Sequence, residues 1–339
     1  MKKLTKYPIF HNHKLPLSTS IDKNAWTLIK DFNEQIQNGM IQFEFVSCLC
    51  GKQQFELLAS IDRFKFFQKT VICTNCGLIS ANPRMTDNEY SKFYGTSFYI
   101  DVYAPQINKE ELNYDQYTIH EIIKPHLDQI NSIVEVGCNR GYLLYPYFLA
   151  NKKVIGYDLS KDCVEIGKKK GLDLRVGSIS EIKEKFDLII LSHIIEHFTH
   201  PLNEIKKILD HLNENGLVYI EVPNIEYFGI NMLENAHTYY FTRDTLMYYM
   251  GICGLVVVSE TENFTNKGIN GANFGILFTK KQQSNEAPFL LESEYNKMKT
   301  IILKEDFKMK YKYPFKRFKL LIKKTLSLLS LKNSTRVYK

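Results

Sequence analysis

The sequence predicts an α/β protein: a doubly wound open sheet of seven strands, the last antiparallel, preceded by a small cysteine-rich module. Three observations carry that prediction. Short apolar runs alternate with amphipathic stretches from residue 132 to residue 260, the β-α order of a parallel sheet. A glycine-bearing loop, Gly137-Cys138-Asn139-Arg140-Gly141, joins the first run to a helical stretch. Four cysteines fall in two close pairs well upstream of it.

In chain order, residues 1–43 form an N-terminal extension with one helix-like stretch, Asp22–Gln37. Residues 44–84 hold the cysteines on short aromatic pieces, and Asn82-Pro83-Arg84 supplies the closing turn. Residues 85–130 read as a broken helical linker whose aromatic stripe (Tyr90, Phe93, Tyr94, Phe98, Tyr99, Tyr103) suits packing. The sheet domain spans 131–282, with strands at 132–137, 153–158, 172–176, 186–192, 216–222 and 255–260. Such near-continuous apolar runs suit strands covered on both faces. A further strand at 272–280 is expected to pair at the sheet's end. Tyr142–Leu149, CVEIGKKKG and PLNEIKKILDHLNENG read as helices, the last two ending at glycine.

Seven cysteines in a chain without a secretory signal read as thiols rather than disulfides. Cys48-Leu49-Cys50 and Cys73-Thr74-Asn75-Cys76 could together make a closed tetrahedral zinc site, folding a zinc-ribbon-like unit too small to hold itself together. The second pair has the usual two-residue gap, whereas the first is tighter. His11 or His13 therefore stand as alternative ligands. A closed set of four leaves no open position, so the zinc would be structural. Cys138, Cys163 and Cys253 are scattered, as small core residues are.

Gly137 permits a tight exit from the first strand, and Gly141 lets a ligand approach backbone at the helix start. The spacing lacks the third glycine of the pyrophosphate-binding fingerprint. Asp158 ends the second strand 21 positions after Gly137, where a carboxylate can accept both hydroxyls of a ribose. A nucleoside without pyrophosphate fits both facts.

Residues 132–260 resemble the class I S-adenosylmethionine-dependent methyltransferases, which have a Rossmann-like sheet. Glu135-x-Gly137-x-Asn139-x-Gly141 looks like their first motif and Tyr157-Asp158 like their second. Ser192-His193-Ile194-Ile195-Glu196-His197 with Pro201 is similar to the segment after their fourth strand, and Glu221-Val222-Pro223-Asn224 to the end of their fifth. The resemblance implies that Glu135, Gly137 and Gly141 hold the methionyl half of the cofactor and Asp158 its ribose. It adds Cys138, Asn139, Leu159 and Ser192 to the same set. The adenine falls to the loop after the third strand, where Gly177-Ser178 replaces the Asp of many members. The cysteine segment, with Asp62-Arg63, Asn82-Pro83-Arg84 and Phe93-Tyr94, resembles the module that precedes a methyltransferase domain in bacterial sugar and surface-polysaccharide modifying enzymes.

That resemblance implies methyl transfer to a sugar hydroxyl, on a nucleotide sugar or a lipid-linked glycan. A hydroxyl needs a base, and histidine is the usual helper at neutral pH. His237 and His193 rank first, then His197, with Glu196 orienting a partner; His200 lies in the same region. Carbon methylation of a keto-sugar nucleotide is the rival within the resemblance, although only about sixty residues follow the last strand. Quinone-type O-methylation is a second rival. A non-catalytic zinc-ribbon module binding nucleic acid is a third, from another class. His193-Ile194-Ile195-Glu196-His197 also matches the inverted zinc-protease motif, but it starts at a strand end rather than inside a helix.

Composition, 44% hydrophobic and 24% charged, excludes collagen-like and wholly disordered chains. Residues 307–339 contain eleven Lys/Arg and no Asp/Glu, so removing them takes the net charge from +7 to −4. Within that tail, Phe315, Phe318, Leu321, Ile322, Leu326 and Leu329 share a helical face opposite most of the lysines. This suits an interfacial helix on an anionic membrane. Docking on the protein's own body, a dimer contact and a nucleic-acid arm are its alternatives. The N-terminus turns polar at His11-Asn12-His13-Lys14, so the chain is expected in the cytoplasm, or peripheral on the membrane's inner face.

Overall fold

The computed structural model describes residues 1–14, 23–95, 102, 119–260, 264–265, 272–281 and 293–312. The predicted tail helix, and Phe98, Tyr99 and Tyr103 of the aromatic stripe, lie outside the described residues. No helix among the described residues is long and apolar enough to cross a membrane.

Helix α1 (Lys23–Gln37) buries Ala25, Ile29 and Phe32, an i, i+4, i+7 stripe. The cysteine segment then folds as two small sheets. β1 (Phe43–Glu44) pairs antiparallel with β5 (Arg84–Met85), while β2 (Phe55–Ala59), β3 (Thr70–Cys73) and β4 (Ile79–Ala81) form an antiparallel meander. Helix α2 (Asp87–Gly95) follows, its Tyr90 and Phe93 packed with Phe32 and Phe66. Further on, α3 (Ile119–Ile123) buries all three of its isoleucines.

The large sheet comprises β6 (Ser132–Val136), β7 (Lys153–Asp158), β8 (Asp173–Val176), β9 (Phe186–Ser192), β10 (Leu212–Pro223), β12 (Leu255–Glu260) and β14 (Ala272–Lys280), with β13 (Phe264–Thr265) paired to β14. Two-residue β11 (Tyr239–Tyr240) belongs elsewhere: it extends the cysteine meander by pairing with β4. The order across the large sheet is β12-β14-β10-β9-β6-β7-β8. β6 to β10 are mutually parallel, and β14 runs antiparallel to both β10 and β12. Alternate residues feed two cores. Val134, Ile189, Leu191, Val218 and Ile220 pack toward α6 (Pro201–Asp210) and α7 (Arg243–Ile252), whereas Ile133, Leu188, Ile190 and Tyr219 pack toward α3, α4 (Tyr145–Leu149) and α5 (Lys161–Lys168).

Three expectations need correction. β14 is not at the sheet's end but between β10 and β12; its residues Phe274 to Phe278 are almost wholly buried, as a central strand requires. The helix expected over 201–216 stops at Asp210, because buried Leu212 pairs with Phe186 and already belongs to the ladder. The helix expected from Tyr142 starts at Tyr145.

Strand order reverses beside β6: the chain proceeds to β7 and β8 on one side, to β9 and β10 on the other. Open α/β sheets bind ligands beyond the carboxyl ends of the strands at such a switch point. The loops after β6 and β9 meet there.

Candidate active site

The loop after β6 is held by its neighbour strand. The amides of Gly137 and Cys138 donate to the Tyr157 carbonyl at 2.7 and 3.0 Å, and that of Asn139 donates to Asp158 Oδ2 at 2.8 Å. Ser160 N–H donates to the other Asp158 oxygen at 2.8 Å. Asp158 therefore sits at the bend with each oxygen anchored once and a lone pair on each still available. Burial raises its pKa against the pull of those two amides. Gly137 has φ +71°, and a Cβ there would lie 2.0 Å from Ile194 Cδ1, on the loop after β9. Gly141, at φ +74°, would drive a Cβ to 2.5 Å from Leu172.

Below the loop, Glu135 is buried, and its Oε2 has no hydrogen-bond partner among the described residues. Burial pushes its pKa well above the carboxylate range, and the Asp158 charge adds to this. An orphaned carboxyl beneath a glycine loop suits a ligand ammonium, and Asp158 suits a ribose; both fit a nucleoside bearing an amino acid. Of the other expected cofactor residues, Leu159 is exposed at the rim and Ser192 is half-buried where β9 ends. Ser178 caps a short turn with Glu181. Cys138 turns its thiol into the core against Gly156, so its side chain does not face the ligand space.

Of the four expected catalytic groups, His193, Glu196 and His197 follow β9 and His237 lies on the loop after β10, and they fall into two different settings. His193 adopts φ +55°, which turns its ring back across the strand ends. Its Nδ1 lies 3.2 Å from Glu196 Oε1 and its Nε2 3.4 Å from Glu221 Oε1, with Asn273 Nδ2 at 3.1 Å. Burial opposes its charge, but hydrogen bonds to the two carboxylates overcome this and push its pKa up to about 10. That shift favours the protonated ring and ranks His193 below His197 and His237 as a base.

His197 and His237 stand together, ring centroids 4.8 Å apart. Burial pulls both pKa values down to about 4, so both are neutral at pH 7. His197 Nδ1 lies 3.0 Å from the Ala236 carbonyl. A carbonyl only accepts, so Nδ1 carries the proton and Nε2 the lone pair. His237 Nδ1 and Glu196 Oε2 are buried without a hydrogen-bond partner among the described residues. His200 stays apart, 3.5 Å from Asp87 on the surface.

The cysteine module grips the loop that carries His237. Asp62 accepts the amides of Phe64, Phe66 and Asn235, Arg63 is ion-paired with Glu234, and Gln68 Nε2 donates to the His237 carbonyl at 3.3 Å. Tyr94 hydroxyl donates to the Ala236 carbonyl, so this member of the aromatic stripe does more than pack. Arg84 reaches Glu44, the Thr199 carbonyl and the Tyr239 hydroxyl. The sequence alone assigned none of these roles. The signal was there in Glu221 and Asn273, polar residues at the ends of otherwise apolar strands, and in a charged Asp62-Arg63 pair amid aromatics.

Sulfurs of Cys48 and Cys76 lie 3.4 Å apart, those of Cys50 and Cys73 3.7 Å apart, and all four fall within 4.8 Å. Tetrahedral zinc with ~2.3 Å bonds to sulfur separates its ligands by about 3.8 Å, so the set fits that ion. The tight first pair thus brings both of its sulfurs into the four-thiol cluster. His11 instead contacts Thr5 and Ser60, and His13 packs on Phe67. Tyr249 of α7 places its hydroxyl 3.2 Å from Cys76 Sγ, an outer contact from the sheet domain.

Residues 110–260 match the family model described as a methyltransferase domain. The chain carries a methyltransferase domain. Its sheet order is that of the class I S-adenosylmethionine-dependent enzymes. The chain is 25% identical over 177 residues to a tRNA U34 carboxymethyltransferase of Campylobacter jejuni, covering 49% of this chain and 58% of that one. It thus spans little over half the length of that relative. It is also 25% identical over 176 residues to a ubiquinone biosynthesis O-methyltransferase of Pelagibacter ubique, covering 45% of this chain and 70% of that one. Among solved structures it is similar to a 1,6-didemethyltoxoflavin-N1-methyltransferase of Burkholderia thailandensis with bound S-adenosylhomocysteine, at TM-score 0.48 and 16% identity, covering 60% of this chain and 96% of that one.

Proposed function

We propose that this protein transfers a methyl group from S-adenosylmethionine to a hydroxyl of a sugar, carried as a nucleotide sugar or a lipid-linked glycan. One observation carries the cofactor half of this reading: the Asp158 carboxylate is tied to the Asn139 amide at the glycine bend. Glu135 would take the methionyl ammonium, Asp158 the ribose hydroxyls, and the rim at Leu159 and Ser178 the adenine. The cofactor supplies an electrophilic methyl carbon, displaced in line by the acceptor oxygen. His237 and His197, neutral and adjacent, are the side chains able to receive the hydroxyl proton. His193 keeps Glu196 in place.

The relatives named above act on different acceptors, so the acceptor is read from this chain's own residues. Around His237 lie buried polar atoms without protein partners among the described residues: Glu196 Oε2, Gln68 Oε1 and Asn235 Nδ2. A site so supplied favours a polyhydroxylated acceptor over a flat apolar ring, because each buried polar atom left unpaired costs about 1–3 kcal/mol. The cysteine set would hold a structural zinc.

Calorimetry with S-adenosylmethionine tests the cofactor half. Wild type should bind, and Asp158→Ala should weaken binding at least tenfold. No heat with a folded wild-type chain rejects the reading.

A further inference from the structure

The inverted zinc motif that the sequence offers is not assembled by the fold, since His193 turns away toward Glu221 and Asn273. Another set takes its place. We propose that Glu196, His197 and His237 form a site for one divalent transition-metal ion, separate from the cysteine zinc and facing the acceptor.

One ligand atom from each of the three lies within 4.8 Å of the others, and a shared ion with bonds of ~2.1 Å would draw them to about 3.4 Å. Each side chain is restrained by its neighbours and keeps one ligand atom unengaged among the described residues. Glu196 gives Oε1 to His193 and leaves buried Oε2 unpaired. His197 gives Nδ1–H to the Ala236 carbonyl, beside the Tyr94 hydroxyl at 2.9 Å, and leaves the Nε2 lone pair. His237 leaves Nδ1 unpaired, its ring wedged between those of His197 and Tyr240. Metal-binding imidazoles and carboxylates are held in this way, by outer hydrogen bonds that aim the free atom inward.

The two parent loops are also tied to each other. Thr238 donates its amide and its hydroxyl to the Glu196 carbonyl at 2.8 and 2.9 Å. Glu196 and His237 then meet at one narrow crevice with Val222, Pro223 and Tyr239, too tight in this state for a water molecule. Two imidazoles and one carboxylate leave coordination positions open and suit zinc, iron(II), cobalt or manganese rather than calcium. Resting on the methyl-transfer reading, the ion would occupy the lone pairs of both histidines and so replace them in the proton step: as a Lewis acid it would acidify the acceptor hydroxyl, whose proton would leave to water.

The test uses the full chain with its cysteines zinc-loaded, titrated with Co²⁺ and followed by absorption, without cofactor or acceptor. Weak d–d bands should saturate at one equivalent, lacking the intense thiolate charge-transfer absorption of cobalt at cysteine. Glu196→Gln and His237→Ala should each weaken binding at least tenfold. Absence of a one-equivalent band in the wild type overturns the site. So does undiminished binding in Glu196→Gln, a near-isosteric change that decides the matter if His237→Ala fails to fold. Binding of S-adenosylmethionine by the same samples is read separately, so a missing metal site leaves the cofactor reading standing.

Discussion

Gly137 is the position where one added carbon would disturb both loops of the proposed cofactor site. Its φ of +71° disfavours any side chain, and its Cβ would run into Ile194 from the facing loop. Gly137→Ala should therefore cost about 1–3 kcal/mol in thermal unfolding and weaken S-adenosylmethionine at least tenfold in calorimetry. Adding Ile194→Ala should recover part of the stability, because it removes the collision but not the backbone strain. No recovery would mean that the strain alone acts. Asp62 gives a second test at this scale. Burial, against the pull of its amide partners, pushes its pKa up to about 7. Unfolded, it releases its proton near 4, so the folded chain holds the extra proton between those values. The stability this confers is full below about pH 4 and is lost as pH rises through 7, up to about 4 kcal/mol in all. Asp62→Asn should flatten that part of the stability–pH curve, measured by denaturant unfolding; an unchanged slope would show the carboxyl ionised throughout. Neither the strain at Gly137 nor its partner could be read in full from the sequence. The glycine was legible; Ile194 was not, because contact between loops after β6 and β9 depends on strand order.

Among the elements, strands were legible where a short apolar run has one interpretation. β7, β9, β12 and β14 begin and end at the expected residues. Legibility failed where tertiary pairing outweighs local preference: Leu212 to Asn215 have helical spacing, but Leu212 is claimed by Phe186. The same cause hid β11, two tyrosines that complete the cysteine meander from far downstream of β4. It also hid how the histidines separate, since His193, at a positive φ that no neighbouring residue announces, meets Glu221 while His197 and His237 stand together. The shared meander has a thermodynamic consequence. Because β11 belongs to the loop bearing His237, the cysteine module and the methyltransferase domain should unfold together. A mercurial thiol reagent should release one zinc per chain, and the stripped chain should melt in one transition at a lower temperature. Release of less than half an equivalent would reject the cysteine zinc, and two separated transitions would reject the coupling.

Across the whole molecule, charge is divided as unevenly as structure. The residues before 307 carry a net −4, and the last thirty-three carry +11. The body carries a net negative charge, so attraction to an anionic bilayer is expected to concentrate in the tail. Each Lys or Arg near such a surface contributes about 1 kcal/mol, an effect screened within a Debye length of ~10 Å at moderate salt. Apolar insertion of Phe315, Phe318 and the leucines would add a component that salt does not remove. Full-length protein should thus float with phosphatidylglycerol vesicles far more than with phosphatidylcholine vesicles, and high salt should release part of it. A chain lacking residues 307–339 should stay at the bottom of the gradient in both. Equal flotation of the two chains would take the membrane role from the tail and leave docking on the body or on a second copy. If the tail does bring the enzyme to the membrane, a lipid-linked glycan becomes the favoured acceptor over a free nucleotide sugar, because enzyme and substrate then share one surface.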